Sequence, residues 1–255
     1  MKHAFLDHHS GVDSSIHHLD ARAKIIVFVS LILVGVSSQP SSFLLFGLLA
    51  LALISIALIA KLPLGHLAKK IVVILPFLLL VSLSIPFMKK ETLGGGYNLG
   101  LGGLSVSQSG LWILWNVIVK SCLGVFSMIL LSSTTSFPEL IKGLERLRTP
   151  RIFTILLSFM YRYSFILIDE IHRMKRARDS RSFGGKWLWH SKVIGHMVGW
   201  LFLRSFRRGE RIYLAMLSRG YQGTMPETAV GRFGRGELIF LLLVPVFVFF
   251  RVCLG

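Results

Sequence analysis

Six apolar runs organise this chain: Ile25 to Ser38, Ser42 to Ala60, Ile71 to Met88, Leu111 to Ser133, Ile152 to Ile168 and Glu237 to Leu254. A helix needs roughly 20 apolar residues to cross a bilayer, with about 17 as the lower end. Runs of that length commit the chain to an all-α membrane protein. Hydrophobic residues are 53% of the sequence and charged residues 16%, against about a quarter charged in ordinary soluble domains. The 29 Lys and Arg outnumber the 12 Asp and Glu, a net +17, and the surplus is clustered between the runs. Clustered positive charge beside membrane spans marks a cytoplasmic face. The same charge on a soluble fold would point to nucleic acid, a partner that the apolar runs exclude.

The runs differ in how cleanly they cross. The first is short unless Ala21 to Gln39 all contributes, and Pro40-Ser41-Ser42 turns it into the second. Pro76 and Pro86 are expected to kink the third run or fray its end, which neighbouring helices tolerate in a membrane. Residues 1–22 are polar and His-rich without a basic-then-apolar signal pattern, so insertion is expected to be led by the first span. Cys122 and Cys253 each lie within an apolar run, with neither metal-site nor disulfide-framework spacing.

Charge assigns the crossings. With Lys2, Arg22 and Lys24 inside, two spans return the chain to a basic loop Lys61 to Lys70. The third leads out to a glycine-rich loop Lys89 to Gly110, and the fourth returns to the basic stretch Phe137 to Arg151. A crossing by Ile152 to Ile168 would then place Arg173, Lys175, Arg176, Arg178, Arg181, Lys186 and Arg204 to Arg211 outside, against the charge bias. That run is therefore expected to pack under or partly within the bilayer. The expected organisation is one membrane domain over 1–255, with four spans in 23–133, a cytoplasmic or interfacial region in 134–223, and a fifth span at 237–254. The N-terminus would be cytoplasmic and the C-terminus outside, in a bacterial or archaeal cytoplasmic membrane.

Two helices are expected in the basic region, from about Arg151 to Arg181 and from about Trp187 to Arg219, broken by Gly184-Gly185. In the second, Val193, Ile194, Met197, Val198, Leu201 and Phe202 recur as an apolar face. Arg204, Arg207, Arg208 and Arg211 form a stripe suited to lipid headgroups or an acidic protein. Both helices close on Ala-x-x-Ser-Arg-small-aromatic: Ala177-Arg178-Asp179-Ser180-Arg181-Ser182-Phe183 and Ala215-Met216-Leu217-Ser218-Arg219-Gly220-Tyr221. An arginine in the last turn suits the negative end of the helix dipole, and a following glycine can take the left-handed cap. Gly220 or Gly223 can cap the second copy; Gly184 or Gly185 must cap the first, because Ser182 stands where Gly220 does. Small alanines permit close approach and the aromatics add an apolar anchor, which together make a short plug for an acid-floored groove. The plain alternative is two arginine-capped helix ends beside lipid phosphate.

No Gly-x-x-x-x-Gly-Lys-Ser/Thr loop is present, and the glycines from Gly94 to Gly103 lack the strand-and-helix context of a dinucleotide site. The chain is not expected to bind ATP, to carry a cofactor or to catalyse a reaction. It resembles the transmembrane T component of energy-coupling-factor (ECF) transporters of the cobalt-transport, CbiQ-like type. The resemblance rests on Leu19-Asp20-Ala21-Arg22-Ala23-Lys24, on Arg204-Ser205-Phe206-Arg207-Arg208-Gly209-Glu210-Arg211 and on Ala215 to Tyr221. It implies an L-shaped scaffold whose two coupling helices dock into two ABC-type ATPase subunits, where ATP and Mg bind. Arg181 and Arg219 would pass ATP-driven closure to a separate substrate-binding membrane subunit, with a small accessory membrane subunit also in view. The site implied is Ala177, Arg178, Ser180, Arg181 and Ser182 for the first motif and Ala215, Ser218, Arg219 and Gly220 for the second. Arg178 is the alternative to Arg181, and Ser182 departs from the usual glycine. The resemblance suggests cobalt as cargo, with nickel or a vitamin as alternatives.

Other polar residues invite weaker readings. His3, His8, His9, His17 and His18 with Asp7, Asp13 and Asp20 have the donor chemistry for cobalt or nickel but no fixed spacing, so a solvated tail is expected and no metal site is assigned. Lys120 and Asn116 in the fourth run would line the path of a stand-alone secondary carrier, yet no inverted repeat accompanies them. Lys120 is expected instead to hold its helix against a neighbouring carbonyl or the substrate subunit. Arg251 can snorkel.

Overall fold

The computed structural model describes residues 14, 16–17, 19–39, 42–62, 64–83, 96–98, 105–181, 187–223 and 234–254. Among them the chain is helical apart from one short hairpin: α1 Ala21–Ser37, α2 Phe43–Ile59, α3 Leu64–Leu83, β1 Gly96–Asn98, β2 Ser105–Ser107, α4 Gln108–Thr134, α5 Phe137–Arg146, α6 Arg151–Asp179, α7 Trp187–Leu217, α8 Arg235–Leu241 and α9 Leu243–Leu254. The strands pair antiparallel, with Tyr97 opposite Val106. The chain divides into two compact units, Ala4–Gly143 with Gly231–Gly255, and Leu144–Val230.

In the first unit α1 is the central post, packed by α2, α4, α8 and α9. Its inward face is Ala23, Lys24, Val27, Phe28, Leu31 and Val34, all buried. Leu45, Leu49, Leu53 and Ile56 of α2 and Leu130 of α4 complete the core, and Phe28 meets the edge of Phe240 at 6.2 Å. The outward faces are also apolar: Leu33, Leu44, Leu51, Leu58, Val73 and Leu80 are exposed. A helix apolar on every side is one that lipid surrounds, which makes this an all-α membrane protein. Trp112–Thr134, Arg151–Asp179 and Gly236–Cys253 have the length and apolarity to cross a membrane, and Phe43–Ile59 is a shorter apolar helix.

Local chemistry sets the helix ends. Asp20 caps α1, its carboxylate accepting from the N–H of Arg22 at 3.1 Å. Glu139, in the first turn of α5, reaches back to the residue before the helix, its carboxylate accepting from the Ser136 N–H at 3.2 Å. α2 and α5 end on left-handed residues that are not glycine, Lys61 at φ 53° and Arg148 at φ 64°. Each end closes with a bond from the left-handed residue's own N–H (Lys61 to Leu58, Arg148 to Glu145) and one from the next N–H back five residues (Leu62 to Ala57, Thr149 to Leu144). That is the Schellman pattern, held here at a steric cost of about 1–2 kcal/mol each.

Several boundaries differ from expectation. α3 begins at Leu64, so Lys69 and Lys70, expected in a loop, ride its first turns; Gly65 is the only poor helix former between Leu64 and Lys70. The basic stretch from Phe137 to Arg151, for which no helix was expected before Arg151, contains α5, whose start Glu139 fastens by accepting from the Ser136 N–H. The glycine-rich loop contains the hairpin, and α4 starts early, at Gln108. The last span is interrupted at Leu242, four residues before Val246; Pro245, which has no N–H to give Leu241, accounts for the break. α3 runs through Pro76, while Pro86 and the Gly184-Gly185 break lie outside the described residues.

The chain leaves this unit and returns to it at one end of the bundle. At Gly143 an added Cβ would lie 2.9 Å from Ile25 Cδ1 and 3.0 Å from Ala21 Cβ, so only glycine lets α5 lie this close to the start of α1. Glu237, near the start of α8, accepts from the Asp20 N–H at 3.0 Å and from the Gly234 N–H. Both crossings of the boundary, after Gly143 and before Gly234, therefore sit beside the N-terminus of α1.

Candidate functional site: two matched helix ends

The unit Leu144–Val230 is built on α6 and α7, whose observed bounds fall within two residues of the expected ones. The helices run antiparallel: Ile152, Leu156 and Phe159 of α6 share a groove with Ile212, Met216 and Tyr221 at the far end of α7. Deeper along the pair, Glu170 is the clamp. Only 6% exposed, it accepts from Arg173 Nε at 3.2 Å and Nη2 at 2.5 Å, and from Arg204 of α7. The Arg173 hydrogen bond, with the charges of Arg173, Arg204 and Arg208 adding to it, holds the Glu170 carboxyl below its ordinary value against the opposing effect of burial.

Over the described residues the two repeated motifs share three hydrogen bonds. In the first, the Ser180 N–H donates to Arg176 O at 3.0 Å, the Arg181 N–H to Arg178 O at 3.0 Å, and Ser180 Oγ to Ala177 O at 3.0 Å. In the second, the Ser218 N–H donates to Leu214 O at 3.0 Å, the Arg219 N–H to Met216 O at 3.1 Å, and Ser218 Oγ to Ala215 O at 3.0 Å. The serine of each motif turns back on the alanine carbonyl and occupies an acceptor that the ending helix leaves open. Beyond that, Gly220 takes φ 79°, its N–H donating to Leu217 O and that of Tyr221 to Met216 O, both at 3.0 Å. The second end is thus a complete Schellman cap, with Arg219 as the last residue before the turn. Ser182, Phe183, Gly184 and Gly185 lie outside the described residues.

The arginines are presented differently. Arg178, half-buried, binds its neighbour Asp179 through Nε at 2.9 Å and Nη2 at 2.7 Å. Arg181 and Arg219 are exposed, and neither has an ion pair among the described residues. The structure does not bring the two motifs together: in an antiparallel pair they close opposite ends. The 29 residues of α6 separate them by about 40 Å along the helix at 1.5 Å per residue. The pair therefore carries an exposed arginine at each of its two ends, a geometry suited to holding two similar bodies at once and not to surrounding one small ligand.

The remaining polar candidates are fastened within the bundle. Lys120 Nζ donates to Val36 O at 3.0 Å and Ser38 O at 2.6 Å, and lies 5.9 Å from the Phe46 ring centroid. It caps the negative end of α1, which is the carbonyl-holding role expected of it. Asn116 donates to Trp112 O within its own helix at 2.9 Å. Arg251 donates to Ser37 O at 3.2 Å, a contact that snorkelling alone did not anticipate. His17 Nδ1 is 2.7 Å from Ser14 Oγ. His3, His8, His9, His18, Asp7 and Asp13 lie outside the described residues, and among those described no three His, Cys, Asp or Glu side chains come together as a metal site. Cys122 and Cys253 are free thiols.

Lys24 is the residue that charge patterning misread. Counted above only as an inside charge, it is fully buried, its Nζ donating at 3.0 Å to both His17 O and Thr134 O. Glu139 and Asp20 supply the nearby negative charge. It ties the N-terminus of α1 to the C-terminus of α4, where the chain departs for the second unit. The available signal was position: Lys24 falls four residues after the Asp20 cap, on the stripe shared with Phe28 and Leu31.

The sequence is similar to known proteins. The model of the family described as CbiQ, cobalt transport protein, matches residues 13–230. An uncharacterised protein of Methanocaldococcus jannaschii is 26% identical over 257 residues, covering all of this chain and 94% of that protein. The energy-coupling factor transporter transmembrane protein EcfT of Listeria innocua is 28% identical over 242 residues, covering 91% and 86%. That of Staphylococcus aureus is 25% identical over 252 residues, covering 92% and 91%.

Proposed function

The chain belongs to the CbiQ cobalt transport family, and from that premise we propose that it is the coupling subunit of an ATP-driven ECF-type importer for cobalt ions. It holds two ABC-type ATPase subunits through the ends of α6 and α7, and joins them to a substrate-binding membrane subunit. The observation that carries this reading is the pair of helix ends with the same hydrogen bonds, each tipped by an exposed arginine, at opposite ends of one antiparallel hairpin. Two equivalent tips call for two equivalent sockets, as a pair of cassette ATPases would offer.

The hairpin lies on the cytoplasmic side in this reading. Gly143 lies against the start of α1, and Glu237 accepts from the Asp20 N–H there, so both lie at the end of the bundle where Arg22 opens α1, and positive charge stays inside. α6 has the length and apolarity of a span, yet its apolar N-terminal half packs along the arginine-rich half of α7, and its own charged half lies beside the apolar half of α7. No level of the pair presents an uncharged slab to lipid, so zero crossings suits it better than two. The N-terminus is then cytoplasmic and the C-terminus outside, with ATP and Mg bound by the partner subunits and no catalytic residue in this chain.

The test is reconstitution. Cobalt uptake into proteoliposomes is expected only when this chain, a cassette ATPase and a substrate-binding membrane subunit are all present with internal ATP and Mg. Uptake by this chain alone would replace the reading with that of a secondary carrier, and ATP-driven uptake of nickel or a vitamin in place of cobalt would correct the cargo while leaving the coupling role intact.

A further inference from the structure

Each arginine tip belongs to a different helix, Arg181 to the end of α6 and Arg219 to the end of α7. Their relative position is therefore set by whatever fixes α7 against α6. Part of that contact is apolar, through Ile152, Leu156 and Phe159 on one helix and Ile212 and Met216 on the other. Apolar burial is non-directional, so it draws the helices together without fixing how one turns or slides along the other.

Glu170 supplies the direction. It is only 6% exposed, while Arg173 and Arg204 are both exposed, so the carboxylate lies inside the pair and its partners reach in from the surface. Its two oxygens are divided between the helices: Oε2 accepts from Arg173, one turn along α6, and Oε1 accepts from Arg204 of α7. The first contact orients the carboxylate on its own helix, and the second carries that orientation across to the neighbouring one. Charge-assisted bonds of this kind specify geometry as well as adding energy. The clamp also lies between the two tips. About 16 Å of helix runs from Glu170 to Arg181 and about 22 Å, in the opposite direction, from Arg204 to Arg219, at 1.5 Å per residue. A small rotation at Glu170 is thus carried to both ends.

We propose that Glu170 is a positioning residue for coupling: by holding Arg204 of α7 against α6 it fixes where the two arginine tips stand relative to each other, so that movement imposed on one tip is passed to the other. This rests on the coupling role proposed above. Glu170 touches neither cargo nor ATPase in it, and its loss uncouples the complex without undocking it.

Two measurements test this on the full-length chain. In the first, spin labels on Ser180→Cys and Ser218→Cys, in a chain without Cys122 and Cys253, report the distance between the tips in the purified subunit. A narrow distance distribution is expected for the parent chain, a clearly broader one for Glu170→Gln and Arg204→Gln, and less broadening for Arg173→Gln, which leaves the bond between helices in place. In the second, the unlabelled variants are assembled with their partner subunits. Glu170→Gln and Arg204→Gln should retain ATPase co-purification while ATP hydrolysed per ion taken up rises about tenfold, within the range of coupling between sites. The double variant should be no worse than the poorer single one, because both remove the same contact. Glu170→Gln is close to isosteric; if a circular dichroism melt shows it unfolded, Arg204→Gln, which changes an exposed side chain, carries the test. Unchanged tip distances in both variants, parental uptake per ATP in both, or ATPase binding lost in step with uptake overturns the proposal. Absence of ATP-driven uptake by the parent complex would instead remove the coupling role, leaving the tip distances to decide whether Glu170 fixes the pair.

Discussion

Arg219→Glu is expected to abolish ATP-driven uptake, and Arg181→Glu to do the same or nearly so. Removing one partner of a charged, buried interface contact costs about 2–5 kcal/mol, equivalent to a loss of ~30-fold to several thousand-fold in affinity at 1.4 kcal/mol per decade. Reversal adds repulsion from an acidic socket. Neither change should disturb the chain itself, because both side chains are exposed and make no ion pair among the described residues. The effect should therefore appear as lost ATPase co-purification with unchanged yield of this subunit. Arg219 stands on a Schellman cap fixed by Gly220, which pre-organises its tip, so its reversal should be the more damaging of the two. Arg178→Glu should cost less, since Arg178 is engaged by Asp179. Wild-type co-purification and uptake in both the Arg181 and Arg219 variants would mean that these ends are ordinary capped termini.

The second large effect is on stability. Lys24→Met fills nearly the same volume but removes the donor that Thr134 O and His17 O share. Each buried acceptor left without a donor costs about 1–3 kcal/mol, so a loss of about 2–6 kcal/mol is expected, much of the 5–15 kcal/mol that typically holds a domain. Lys120→Met removes a lysine that likewise holds two carbonyls, but at the more exposed end of α1, and should cost less. Thermal unfolding of the purified subunit in detergent checks the pair: a large fall in Tm for Lys24→Met with a smaller one for Lys120→Met is expected. Equal tolerance of both would show that the junction of α1, α4 and α5 does not depend on this lysine.

What could be read from the sequence follows the physics of each signal. Apolar periodicity located the helices because both the core and the lipid faces select apolar side chains, and α6 and α7 ended where the Ala-x-x-Ser-Arg repeat said they would. Boundaries set by one or two polar atoms were harder. The bond from the Ser136 N–H to Glu139 at the start of α5 was hidden beside a stretch read only for its charge, and Pro245 interrupts a run whose hydropathy is continuous. Lys24 was misjudged because a topology rule counts charges without asking which of them are buried. The opposite placement of the two motif ends, and the single end through which the chain leaves and re-enters the bundle, follow from contacts distant in sequence that no local pattern encodes.

The account rests on the α6–α7 hairpin lying wholly on the ATPase side of the membrane. Ser180→Cys, at the turn farthest from both crossings of the unit boundary, in a chain without Cys122 and Cys253, distinguishes zero crossings from two. A membrane-impermeant maleimide should label it in inverted vesicles and leave it unlabelled in intact cells; labelling from outside intact cells would put that turn across the bilayer and contradict the account.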